Sequence, residues 1–351
     1  MELTHPKNRN RELRLAPELW LSGPLLVPRV SSKAFPTVEK GLSAGEALDV
    51  VSEYITEALL VSAYDLHHHN LPDWDRLLGS EHNKSIYAML SLLIVDSGSH
   101  ELDPAGVEDD GTPGQDGREN FSREDFEAIV DQLPHDKKLL VVSYVNPGPR
   151  QPTYKEQRQA AQDFFESRRH LGSDFLLRAE KDELLLDVDE LTPVAKDLSL
   201  FRVIGVTQQE LGTSLLDRLV TVARLRELLD KQYGAEVPIH VFGSLDPILT
   251  PLYFMAGAEI FDGLGWLQYG YLDGLAIPPD QWSALYDGLL TKQQQTLDAT
   301  RHIENLHAIS DLKERLDRWA QQPTRYDHLG PRHKKLRAIY DTLRARLAQK
   351  R

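Results

Sequence analysis

Apolar positions in this chain fall into short runs separated by longer stretches of helical period. The order is clearest between residues 237 and 271. Residues 237–242 (VPIHVF) form a brief, largely β-branched run, and Gly243 and Ser244 interrupt it; 248–256 can wind as a helix, and 259–261 extend again before Asp262. Comparable blocks recur. Residues 23–32 read as a short strand feeding a loop, and 91–95, 138–144 and 198–205 read as buried strands. Residues 44–60 read as a helix capped by Ser43 with Glu46 three positions on, and 61–66 as the strand after it. Residues 175–177 and 184–188 suggest a further short strand pair, or a strand and a turn. The run 154–169 is amphipathic, and 214–231 carries a leucine-rich stripe behind a Ser214/Asp217 cap. Three helical stretches, 280–297, 303–319 and 332–347, close the chain. Short buried strands alternating with helices imply a parallel sheet, and the length suits one closed ring of eight. The expectation is an α/β fold: a (β/α)8 TIM-type barrel over residues 1–310 with a C-terminal helical extension over 311–351.

In such barrels chemistry gathers at the C-terminal ends of the strands. Asp96 ends the run 91–95 and Asp262 ends 259–261, so a closed ring brings both to one mouth. Aspartate also caps helices and starts turns after strands; position alone does not make either residue reactive. Residues 102–119 are rich in Gly, Asp and Pro and read as a loop or lid over that mouth. His67, His68 and His69 are consecutive, so on extended backbone their side chains alternate in direction and do not converge on a metal.

The run Ile204 to Gly212 (IGVTQQELG), the runs 239–243 (IHVFG) and 261–263 (FDG), and 95–98 (VDSG) together resemble the tRNA-guanine transglycosylase family. The likeness, which covers roughly residues 20 to 310, is strongest to divergent members found in bacterial defence islands. It implies Asp262 as nucleophile and Asp96 as the second, acid/base carboxylate, with Ser97 beside it in the substrate-binding stretch. It also implies base contacts through the backbone of Gly205 and Val206, which Glu210 would orient. Asn146 lies near the family's base-edge aspartate. A carboxylate in the nucleophile's place can attack C1′ of a ribose while another manages the proton. The implied ligand is a 7-deazaguanine-type base, or a molecule carrying it.

Family members carry a structural zinc on three Cys and one His. This chain has no cysteine, and Glu304 stands where that histidine would be, with His307 as a neighbour. No cofactor or metal is therefore expected, and a family-type dimer through that region is not implied; the oligomeric state stays open.

Composition narrows the partners. With 41% hydrophobic and 27% charged residues and a mean hydropathy of -0.41, the chain reads as soluble. It lacks an apolar run of the roughly 18 residues that a membrane span needs and an N-terminal apolar core, so a cytoplasmic location and no membrane partner are expected. The net charge of -14 disfavours stand-alone nucleic-acid binding, although residues 332–351 gather eight Lys or Arg against one Asp. Three readings follow: a base-exchanging enzyme acting on tRNA or DNA, a non-catalytic module recognising a deazaguanine-modified partner protein of a defence operon, and a structural relic with no ligand.

Overall fold

The computed structural model describes residues 12–35, 41–55, 57–71, 77–78, 85–99, 121–135, 138–145, 151–180, 183–233, 237–286 and 291–349. An antiparallel hairpin, β1 (Glu12–Ala16) and β2 (Leu19–Ser22), precedes eight parallel strands. These are β3 (Leu25–Pro28), β4 (Ala58–Ser62), β5 (Leu92–Asp96), β6 (Leu139–Val142), β7 (Gly172–Leu177), β8 (Val203–Thr207), β9 (Ile239–Phe242) and β10 (Ile260–Gly263). Their order is β3-β10-β9-β8-β7-β6-β5-β4, with every neighbour parallel. The seam between β3 and β4 is joined where Arg29 bridges Leu60 and Val30 N–H donates to the Leu60 carbonyl at 3.0 Å. The expected (β/α)8 barrel is observed, with helices after it towards the C-terminus.

Strand alternation sorts the side chains into two layers. Leu25 and Val27, Leu60, Ile94, Val142, Val203 and Ile260 fill the barrel interior; Leu59, Val61, Val95, Phe175, Ile204, Val241 and Phe261 pack outward against the helices. Leu13 and Leu15 of the hairpin join the interior cluster and close the N-terminal end of the ring. Gly172 makes that closure fit, because a Cβ there would lie 2.2 Å from the Leu15 carbonyl oxygen. The polar end of the ring is left at the strand C-termini.

Several sequence boundaries shift for physical reasons. The strand expected at 61–66 lies at Ala58–Ser62, and Ala63–His67 is a short helix capped by Ser62, whose Oγ accepts from Asp65 N–H. Both faces of this strand are buried, so its start resembled the helical stripe before it. No strand forms at 184–188: β7 and β8 already pair with each other, and Leu186 N–H donates instead to the Glu210 carbonyl at 2.8 Å. The helices expected at 280–297 and 303–319 become Pro279–Leu285 and Gln294–Gln321, the second running unbroken through residue 310. Its buried Arg301, His302 and Asn305 interrupt the apolar stripe because they face backbone carbonyls. Residues 102–119 lie outside the described residues. No described helix is long and apolar enough to cross a membrane.

Candidate active site

Asp262 takes its direction from β10. Ile260 and Asp262 point into the ring while Phe261 points out, so the carboxylate lies at the interior end of the strand, 1% exposed. Gly243, at φ +78°, donates its N–H to Asp262 Oδ1 at 3.0 Å. Asp262 Oδ2 is buried and has no hydrogen-bond partner among the described residues. Asp96, 7% exposed, ends β5; its Oδ1 accepts from Gly98 N–H at 3.0 Å and its Oδ2 pairs with Arg29 at 3.0 Å.

Arg29 links the two carboxylates' strands. Its N–H donates to the Gly263 carbonyl at 3.3 Å, its carbonyl accepts from Trp266 Nε1 at 2.9 Å, and its guanidinium crosses to Asp96. Ser97 is buried next to Asp96, and Gly98 (φ +84°) leaves no room for a Cβ, which would meet Tyr64 Cβ at 2.3 Å.

A third acidic residue and a histidine lie behind Asp262. Asp174 on β7 and His240 on β9 are both 0% exposed and inward-facing. Asp174 Oδ2 is 2.7 Å from His240 Nδ1, and His240 Nε2 is 3.3 Å from Asp262 Oδ1. Burial pulls the imidazole pKa down, but the two carboxylates more than reverse it and raise it to about 9. Burial pushes the Asp174 carboxyl up, against the opposing pull of His240. Phe242, two residues along β9, stacks on the imidazole with ring centroids 3.8 Å apart.

The other sequence candidates occupy different places. Gly205 and Val206 sit within the β8 ladder, paired to β7 and β9, and Val206 points into the outer layer. What Gly205 supplies is space: a Cβ there would be 2.7 Å from both Asp174 Oδ1 and Phe242 Cε2. Glu210 secures the segment after β7, accepting from Arg178 Nε at 2.6 Å and Ala179 N–H at 2.9 Å, and makes no bond to the 205–206 backbone. Asn146 lies outside the described residues; Val145 before it is buried in the interior cluster.

The segment after β10 is locked from the 294–321 helix. Arg301 donates to the Leu267 carbonyl at 2.6 Å, and Asn305 donates to the Trp266 and Tyr269 carbonyls at 2.6 and 2.7 Å while accepting from Tyr271 N–H at 2.6 Å. Glu304 and His307 are 3.8 Å apart on the outside of the helix, and no group of three metal-ligating side chains occurs among the described residues. A cleft of about 260 Å³ between Tyr271, Arg315 and Leu336 contains none of the candidate residues.

Arg29, Asp174 and His240 escaped the sequence reading. Asp174 fell outside the strand expected to start at 175. His240 was visible as a polar residue inside an apolar strand, two positions before the strand's last residue, Phe242, and facing the same way as it.

No family model matches. The tRNA-guanine(15) transglycosylase of Thermoplasma acidophilum is 31% identical over 101 residues, which covers 22% of this chain and 16% of that protein's length.

Proposed function

We propose that this chain binds a 7-deazaguanine-type base at the C-terminal mouth of its barrel and exchanges it at an N-glycosidic bond, with Asp262 as nucleophile. One observation carries the reading: at the interior end of β10, Asp262 has one oxygen tethered to Gly243 N–H and the other without a partner among the described residues. Asp262 Oδ2 attacks C1′, and the C1′–N bond breaks with its electron pair leaving on the base nitrogen, which takes a proton from solvent. The nitrogen of an incoming base then re-forms the bond to C1′ as the C1′–O bond breaks, and its proton passes to Asp96. Ion-paired to Arg29, Asp96 suits the role of acceptor. It later returns that proton to solvent, so the exchange balances. The partial similarity to a tRNA-guanine transglycosylase supports the substrate class.

Net charge favours a second reading. At -14, the chain suits a partner that is not a bare polyanion, such as a deazaguanine-modified protein encoded in the same defence operon. One experiment separates the two. Calorimetric titration with guanine, 7-cyano-7-deazaguanine and 7-aminomethyl-7-deazaguanine is combined with denaturing gels for covalent capture of guanine-containing RNA and DNA. The exchange reading expects base binding plus an adduct that Asp262→Asn abolishes. Binding without any adduct gives the module; neither binding nor adduct removes both.

A further inference from the structure

Asp262 does not reach its position alone. Three consecutive strands of the ring, β7, β8 and β9, build a buried support directly behind it. We infer that Asp174 and His240 form a positioning pair that fixes Asp262 through Oδ1 and leaves Oδ2 as its reacting atom. The inference deepens the exchange reading above and rests on it for the identity of the reaction.

The geometry is asymmetric, and the asymmetry is informative. His240 makes its short contact, 2.7 Å, with Asp174 and its longer one, 3.3 Å, with Asp262. A charged imidazole that gave its strongest hydrogen bond to the nucleophile would blunt it. Here the tighter bond is to the carboxylate farther from the mouth, so Asp262 is oriented without being neutralised. Asp262 Oδ1 then has one donor in place, Gly243 N–H, with the imidazole Nε2 beside it in charge contact at 3.3 Å, while Oδ2 has neither among the described residues.

Among the described residues, no other charged group competes for the histidine. The charged groups facing it are Asp174 from β7 and Asp262 from β10; β8 presents Gly205 beside it, and the Phe242 ring covers a face of the imidazole. The glycine belongs to the device, because any side chain at 205 would strike Asp174 Oδ1 and the Phe242 ring. A purely structural core at this depth would be apolar, as the interior layer of Ile94, Val142 and Val203 is. Two buried carboxylates around one histidine cost too much desolvation to be filler.

The test is carried out on the full chain without ligand. With 13C/15N-labelled histidine, NMR is expected to show His240 as imidazolium at pH 7.5, losing its proton only near 9. In Asp174→Asn that midpoint falls by at least about one unit, and in Asp262→Asn by less, following the contact lengths. In the capture assay, Asp174→Asn slows adduct formation about a hundredfold and leaves base affinity unchanged, the pattern of a misaligned nucleophile. A neutral His240 at pH 7.5 in the wild type overturns the inference, and so does an Asp174→Asn variant whose capture rate and pH profile match the wild type. A charged His240 that responds to Asp174, in a protein that captures no nucleic acid, leaves the pair standing and removes the exchange reaction instead.

Discussion

Two histidines of this protein are equally deep and differ in charge. His240, 0% exposed inside the barrel, is raised to about 9; His302, 1% exposed between the 294–321 helix and the segment after β10, is lowered to about 4. Burial pulls both down. At His302 burial and the positive charge of Arg301 beside the ring outweigh the opposing pull of Asp298 and the Leu267 carbonyl; Nε2 lies 3.3 Å from both Arg301 and that carbonyl, and Phe35 and Trp266 meet the ring edge-on. At His240 two carboxylates reverse it. Depth therefore sets the cost of a charge, while the neighbours decide whether the charge is kept. The latch, where the 294–321 helix holds the segment after β10, uses its histidine as a neutral packing group; the barrel region keeps its own ionised.

The sharpest way to break this comparison is to remove one partner on each side. Asp174→Ala leaves a buried imidazolium with its main counter-charge gone, and the expected cost is about 3–5 kcal/mol in urea denaturation. His302→Leu replaces a neutral, weakly bonded ring with an apolar side chain, for which less than about 1.5 kcal/mol is expected. Equal losses in the two variants would mean that the histidines do not differ in charge.

The pH dependence of stability tests the same contrast without a cavity. His240 has a folded pKa above the unfolded value of roughly 6.5, so its stabilisation is complete below that value and is lost as pH rises through about 9. His302 has a folded pKa below the unfolded value, so its contribution is present above roughly 6.5 and is lost as pH falls towards about 4. Melting temperature measured from pH 4 to 10 should fall on both sides, with His240→Gln flattening the alkaline limb and His302→Gln the acid limb. A variant that flattens the opposite limb contradicts the assignment.

Gly205→Ala is expected to have a smaller effect. The methyl group must displace Asp174 Oδ1 or the Phe242 ring, each 2.7 Å away, at about 1–3 kcal/mol. Calorimetry would show the loss, and the His240 NMR signals should move with it. A silent Gly205→Ala variant would mean that the space beside the pair is not needed.

What the sequence revealed follows from how strand parity works. The ring was legible because buried strands such as 139–142 and the stretch 92–95 are continuous apolar runs, and Asp96 and Asp262 stood out as polar residues following the apolar runs of β5 and β10. Asp174 was hidden because β7 opens with Gly172, Ser173 and Asp174, a polar start that reads as loop until Phe175. Arg29 was hidden because its partner lies across β4, a contact that exists only once the ring is closed. The latch was hidden for a different reason. Arg301, His302 and Asn305 each reach a backbone carbonyl group, and a one-dimensional pattern carries no record of which backbone is nearby.

A third histidine, on the same helix as His302, supplies the smallest expected effect and the cleanest control. His307 lies one turn and a little more beyond His302, but its side chain is 58% exposed and meets Glu304 only at 3.8 Å. An exposed pair at that distance contributes at most about 1 kcal/mol and often nothing, since water screens it and both side chains lose freedom by holding it. Glu304→Ala should therefore change the urea midpoint and the pH profile of stability within error, even though Glu304 stands where the resembling family places a metal-binding histidine. If Glu304→Ala instead destabilised the protein as much as His302→Leu, this outer face of the helix would be bearing a structural role that the inward-facing Arg301 and Asn305 bonds do not account for.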